Sequence, residues 1–212
     1  MTAEQNDAYE ARLTVEYPDR DMDRMSTALR LLYIIPIGIV LALLDGSTFG
    51  DTFAENGFRF GATTTGVLAV PVLLMILFRQ KYPRWWFDFN VQLVRFETRV
   101  LAYLALMSDV YPSTDEEQTV KLHVDYPNVE QDLNRWLPLV KWLLAIPHYI
   151  VLLFLCIAAV VAVIVAWFGV IFTGRYPRAI FDFVEGVLRW GLRVEAYAVL
   201  LVTDRYPPFS LQ

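Results

Sequence analysis

Two pairs of arginines have the most suggestive spacing in the chain. Arg95 and Arg99 follow Asp88 and Gln92, and Arg189 and Arg193 follow Asp182 and Glu185. Steps of three and four put each set on one face of a helix. A guanidinium matches a phosphate in bidentate fashion, so each pair, with Arg175 and Arg178 nearby, is a candidate for holding lipid headgroups. The plainer reading is internal pairing with Asp88, Asp182, Asp109 or Asp204; it is favoured, with lipid contact as a compatible secondary role. His148, in Ile-Pro-His-Tyr, is the lone polar side chain well inside a long apolar run. A proton relay there needs an acidic or histidine partner at similar depth, and the sequence offers none. A satisfied or interfacial histidine in lipid or partner contact is the expectation. Cys156 lacks a local His or acidic neighbour and reads as a small hydrophobe. No Ser-His-Asp order, HExxH, P-loop or GxGxxG occurs. One Cys and two His argue against a disulfide framework and a histidine-rich metal site. With 18 Lys+Arg against 23 Asp+Glu the net charge is −5, so no nucleic-acid footprint is expected. These residues point to no catalytic group, metal or cofactor.

The elements that must position these residues belong to a membrane. The chain is 56% hydrophobic and 19% charged, against about 45–50% and about 25% in soluble proteins. Its mean hydropathy is +0.40. The acidic, polar opening carries no cleavable signal peptide pattern. Apolar limbs at 29–44 and 63–78 flank a polar loop at 45–61, and 137–173 is a nearly unbroken apolar run. That run is too long for one upright helix, which needs ~20 residues, and barely long enough for two. Counting Lys and Arg decides between them. A hairpin leaves only Arg59 outside, whereas one tilted helix moves Arg175, Arg178, Arg189, Arg193 and Arg205 outside together. A hairpin at 137–173 is therefore expected, matching one at 29–78, with both termini cytoplasmic. Its tip, near 155–158, has no Gly, Pro or polar residue, and bare backbone is costly in hydrocarbon. The 45–61 loop, with Phe49, Phe53, Phe58 and Phe60, is the candidate cover. Residues 84–107 and 178–201 read as amphipathic helices in the interface, with Trp85, Trp86 and Trp190 at headgroup depth. Full spanning is their rival, at the expense of burying two Arg mid-segment. Segments 11–17 and 119–126 alternate with period two and are expected to pair as a small cytoplasmic sheet.

The chain is also duplicated. Lys81-Tyr-Pro-Arg84, Phe87-Asp-Phe89, Arg95, Arg99 and Tyr103 recur 94 residues later as Arg175-Tyr-Pro-Arg178, Phe181-Asp-Phe183, Arg189, Arg193 and Tyr197. Upstream, Arg24, Arg30 and Pro36 match Arg135, Lys141 and Pro147 at an offset of 111. The difference is about the length of the 45–61 loop, which is an insertion in the first copy. Tyr-Pro occurs six times, each at an element edge. Two units follow, 1–112 and 113–212. Each is a strand, a transmembrane hairpin and an interfacial helix, in a mainly α integral membrane protein. An even number of spans per unit relates the units by a two-fold axis along the membrane normal.

Pro147-His148, Trp167-Phe-Gly, Phe172-Thr-Gly-Arg-Tyr-Pro-Arg178, Phe181-Asp-Phe, Arg189-Trp and Asp204-Arg-Tyr-Pro-Pro-Phe209 together resemble a bacterial membrane-protein family. It is the domain of unknown function forty-three eighty-nine, here as two tandem copies. The second half follows the pattern closely and the first more loosely, with Gln80-Lys81 for Gly-Arg and no His after Pro36. The resemblance implies a multi-span protein of the bacterial inner membrane and no known reaction. The functional expectation is a non-enzymatic scaffold or accessory subunit. Its partners would be membrane lipids and a membrane protein or second copy of the chain. The alternative is a small transporter or channel with a path between the hairpins, and a lipid-modifying enzyme ranks last.

Overall fold

The structure is a computed structural model that describes residues 9–18, 22–44, 64–114, 116 and 118–212. Strand β1 (Ala11–Val15) leads into helix α1 (Arg24–Leu44). Among the described residues, helices α2 (Thr64–Arg79) and α3 (Arg84–Leu104) complete the first half. The second half runs β2 (Val120–Val124), the short α4 (Val129–Asp132), α5 (Pro138–Leu144), α6 (Ile146–Thr173) and α7 (Arg178–Ala198). The chain is mostly helical, with one small antiparallel sheet.

The two strands pair with each other, as their isolation in sequence requires. Leu13 faces Leu122, Ala11 faces Val124 and Val15 faces Val120. Leu13 and Leu122 are equivalent positions of the two copies, so the ladder is symmetric about that pair. Both strands alternate buried and exposed residues, and their buried faces rest on α7 and α3. Those two helices carry α1, α2, α5 and α6 in turn. Helices α3 and α7, each with about half of its residues buried, form the middle of three layers. Their polar stripes meet the strands, and Trp190 is buried within the protein.

The copies exchange contacts. Tyr17 of the first copy donates to the Tyr176 carbonyl of the second at 2.6 Å, while Tyr126 of the second donates to the Tyr82 carbonyl of the first at 2.5 Å. Tyr17 packs edge-on against Phe181 and Tyr126 against Phe87. Arg178 lies over the Tyr17 ring and Arg84 over the Tyr126 ring, at 4.5 and 4.7 Å. Four of the six Tyr-Pro dipeptides, at Tyr17, Tyr82, Tyr126 and Tyr176, are therefore the latches between copies.

The turns before α3 and α7 keep one backbone shape despite different residues. Gly174 caps α6 at φ 77°, its N–H on the Val170 carbonyl. Gln80, its counterpart, holds φ 46° and donates to Ile76 at 3.1 Å. A side chain in this left-handed region costs about 1 kcal/mol or more. After α3 and α7 the equivalent Leu106 and Leu201 take φ 63° and 57° and are buried.

Several expected boundaries move. The strands stop short of their Tyr-Pro ends, and the long helices stop before the left-handed leucines. The larger correction concerns 137–173, which is no hairpin with a tip at 155–158. The chain breaks at Ala145, and α6 is one helix of 28 residues. Nothing between Pro147 and Gly169 favours unwinding, and continuous helix keeps every backbone group paired. The tip that the 45–61 loop was expected to cover does not exist, and the loop itself lies outside the described residues. Among the described residues α6 is the one helix long and apolar enough to cross a membrane.

Candidate functional site

The four arginines singled out by spacing are drawn to the two outer flanks of the sheet. On one flank Arg95 Nη2 donates to the Leu122 carbonyl at 3.2 Å and Nη1 to Gln92 Oε1 at 2.9 Å. Its counterpart Arg189 donates through Nε to the Leu13 carbonyl at 3.1 Å and through Nη1 to the Leu211 carbonyl at 3.2 Å. Arg189 also pairs with Glu185 at 2.7 Å. One turn on, Arg99 donates to the Ser113 carbonyl at 2.5 Å and Arg193 to the Gln212 carbonyl. Burial, then the neighbouring Arg189, lowers the Arg193 pKa, and Tyr9 opposes them. Each arginine pair thus ties a strand or tail to a helix.

The carboxylates expected beside these arginines are engaged elsewhere. Asp88 and Asp182 make exposed helical pairs with Arg84 and Arg178 at 3.4 and 3.7 Å. Asp109 and Asp204 take the buried cations Arg30 and Lys141 at 2.5 and 2.7 Å. These two clusters repeat each other. Arg30 also donates to the carbonyls of Tyr103 and Ser108 and lies 4.4 Å from the Tyr103 ring. Lys141 donates to the Thr203 carbonyl and lies 5.2 Å from the Tyr197 ring. Each pins the helix layer to the chain leaving α3 or α7. Arg175 is exposed at the turn after α6, its N–H on Thr173 Oγ1, and Arg178, also exposed, lies over the Tyr17 ring.

Two crevices result. One, of about 480 Å³, is lined by Arg189, Arg193, Arg205 and Tyr9; the other, of about 370 Å³, by Arg95, Arg99, Lys121 and His123. Arg12 and Thr14 line both. Carboxylates at the strand ends offset part of this charge. Asp125 takes Arg12 and His123 at 3.1 and 2.9 Å, and Glu16 takes Lys121 at 2.6 Å. The outer face of the sheet is nevertheless a basic band on a chain of net charge −5.

His148 is fully buried within the protein. Its Nδ1 accepts from Trp190 Nε1 at 3.1 Å, which assigns the ring proton to Nε2. Phe209 stacks on the ring at 4.0 Å, and Tyr206 closes the box at 4.8 Å. Nε2 has no hydrogen-bond partner among the described residues, and no cluster of metal-ligating side chains occurs among them. The sequence reading missed Trp190 and Phe209 as partners of this histidine. The offsets carried the first signal, because Ile37 and Phe96, the counterparts of His148 and Trp190, also pack together.

A family model described as Domain of unknown function (DUF4389) matches residues 58–114 and again 136–210. The chain belongs to this family. It holds two copies of the domain. No curated protein and no solved structure matches the chain. Neither strand lies within the matched segments, and α1 lies outside the first. The family pattern therefore follows the middle layer, the tails after it and part of the apolar layer. Arg95, Arg99, Arg189, Arg193, Arg175, Arg178 and His148 all fall inside the matched segments.

Proposed function

We propose that the protein is a non-enzymatic scaffold or accessory subunit of a bacterial inner membrane. In this reading its helix layer sits in lipid, and its sheet faces the cytoplasm. The observation that carries it is the one-sidedness of the surface. In α6 the most apolar stretch is only 11% buried, and from Phe154 to Val165 no residue is buried. Leu32, Ile35 and Ile39 of α1 and Val70, Leu74 and Phe78 of α2 are exposed too. The basic band lies on the opposite layer.

The contacts of α6 favour embedding from one side. His148 near its start bonds Trp190, and Gly169 near its end approaches Pro177. Both ends thus rest on α7, which carries Arg189 and Arg193 midway and β1 with Arg12 on its other flank. An upright crossing would draw those guanidinium groups to bilayer depth, which is costly. With α6 lying outward-face down, its middle enters the hydrocarbon and both ends stay cytoplasmic. Helix α5 with Trp142, and Trp136 just before it, both tryptophans exposed, then sit at headgroup depth. The basic band faces the cytoplasm and suits an acidic partner surface more than the headgroups of the same leaflet.

Cys156, the single cysteine, is exposed midway along α6 and reports on this directly. Because a thiol in hydrocarbon does not ionise to the reactive thiolate, neither a lipid-soluble nor a charged maleimide should label it in intact membranes, and both should after the protein is unfolded in detergent. In a Cys156→Ser background, Ser210→Cys should react only from the cytoplasmic side. Recovery of the chain in the soluble fraction, or labelling of Ser210→Cys from the periplasm, overturns the reading.

A further inference from the structure

The two copies differ at one seat. In the second, the Phe209 ring fills a box made by His148, Trp190 and Tyr206, at 4.0, 5.6 and 6.3 Å between centroids. The counterparts of these four residues are Ile37, Phe96, Tyr111 and Thr114. All four line one cavity of about 540 Å³ in the first copy, with Pro36 and Val40 extending the wall. Where the second copy places a phenyl ring, the first has the short side chain of Thr114, with the exposed Glu116 also on the lining, and among the described residues the box stands open. Ile37 and Phe96 are buried in its floor, while Val40 and Tyr111 are half exposed at its mouth.

We infer that this open seat takes one acyl chain of a membrane glycerophospholipid, held where the second copy holds its own Phe209. Three observations select that occupant. The second copy demonstrates that the frame accepts an apolar group of comparable cross-section. Substituting Ile37 for His148 and Phe96 for Trp190 removes the paired ring nitrogens, so nothing in the floor asks the occupant for a hydrogen bond. The mouth at Val40 is continuous with the exposed apolar face of α1, at Tyr33, Ile35 and Ile39. The inference rests on the proposed embedding of that face in lipid.

The test uses the full chain in vesicles of phosphatidylethanolamine and phosphatidylglycerol, doped with a phosphatidylethanolamine bearing a diazirine midway along one acyl chain. After photolysis, labelled peptides are mapped. The expected result is label on 36–40 and on 111–114 as well as along α6. Thr114→Phe, which installs the second copy's plug, should lower the label at 36–40 and 111–114 several-fold and leave α6 unchanged. Phe209→Ala, which opens the second seat, should add label near His148 and Leu152. Val40→Trp, a change at an exposed mouth residue, closes the seat if Thr114→Phe does not fold. Label at the seat that is undiminished in the folded plugged variant overturns the inference. So does its absence in the wild type while α6 is labelled. If α6 is unlabelled as well, the membrane reading fails with it.

Discussion

Lys141 and Asp204 make a pair whose two halves differ in exposure, and removing them singly should have unequal effects. The Lys141 side chain is wholly buried, and Asp204 is 21% exposed. Lys141→Met keeps the volume and leaves the carboxylate with the Asn134 N–H at 2.5 Å and with water, a loss of about 1–2 kcal/mol. Asp204→Ala leaves an ammonium enclosed, with the Thr203 carbonyl as its hydrogen-bond partner and the Tyr197 ring beside it. Uncompensated buried charge costs about 3–5 kcal/mol, so this variant should lose about 1–4 kcal/mol more than Lys141→Met. The double variant should come close to Lys141→Met alone, because removing the cation removes the need for its partner. The pH dependence has a definite sign. Burial lowers the Lys141 pKa below its ordinary 10.5, and Asp204 opposes that lowering. Without Asp204 the folded state binds its proton less tightly than the unfolded chain does, so stability rises with pH up to about 10.5. The deficit of Asp204→Ala should therefore shrink between pH 7 and pH 10. Reversible unfolding in mixed micelles, followed by tryptophan fluorescence, reads all three variants. Equal losses for the two single variants, or a deficit that grows with pH, would refute the account of the pair.

Other perturbations probe separate parts of the frame. Burial pushes the Tyr82 hydroxyl up to about 12 and raises Tyr9 and Tyr176 as well. The folded state therefore keeps protons that the unfolded chain loses above pH 10, and stability should fall from pH 10 through 12. Absorbance at ~295 nm should show a late tyrosine fraction that ionises together with unfolding. Gln80→Gly should raise stability by up to about 1 kcal/mol by relieving a left-handed side chain, and Gly174→Gln should lower it by a similar amount. At Gly186 a Cβ would meet the Leu211 carbonyl oxygen at 2.8 Å, whereas at Gly191 it would meet nothing within 4 Å. Gly186→Ala should lose about 1–3 kcal/mol as the tail is displaced, and Gly191→Ala should gain about 0.5–1 kcal/mol. Arg95→Leu and Arg189→Leu should each lose about 1–2 kcal/mol, because a charged donor leaves a strand carbonyl. Vesicle binding unchanged beside that loss would place their role in the frame.

Period-two segments with no local partner left the strands only each other, so the sheet was legible. The offset of 111 residues aligned Arg30 with Lys141, and the two cations hold equivalent partners, Asp109 and Asp204. Charge counting misread 137–173 because it weighed a hairpin only against one tilted helix crossing from side to side. Under the proposed embedding, a continuous helix held by α7 at both ends keeps the same charges together without a tip. The partners of Arg95 and Arg189 were hidden for a different reason. A guanidinium on a backbone carbonyl leaves no trace in side-chain spacing, and the nearby Asp residues were the visible but wrong candidates. Leu106 and Leu201 were equally hidden, since bulky residues give no sign of a left-handed backbone. The Phe209 seat required knowing that a tail 61 residues beyond His148 returns to it.

The units of the sequence are not the units of packing. The buried face of β1, with Ala11, Leu13 and Val15, covers α7 of the other copy, while β2 covers α3. Tyr17 and Tyr126 reach across in the same exchanged sense, and Arg135 of the second copy donates to the Leu77 carbonyl of the first. Cutting the chain at residue 113 would strip each middle-layer helix of the strand that covers it and leave Arg95 and Arg189 without a shared frame. A chain with a single copy could complete this architecture only by pairing with a second chain about the same two-fold. Fusion removes the concentration dependence of that pairing, and it frees the copies to diverge. The divergence falls where symmetry no longer constrains it. One copy has filled its aromatic seat with Phe209 and tied Arg189 to Glu185; the other has opened the seat and has Val91 at the position of Glu185.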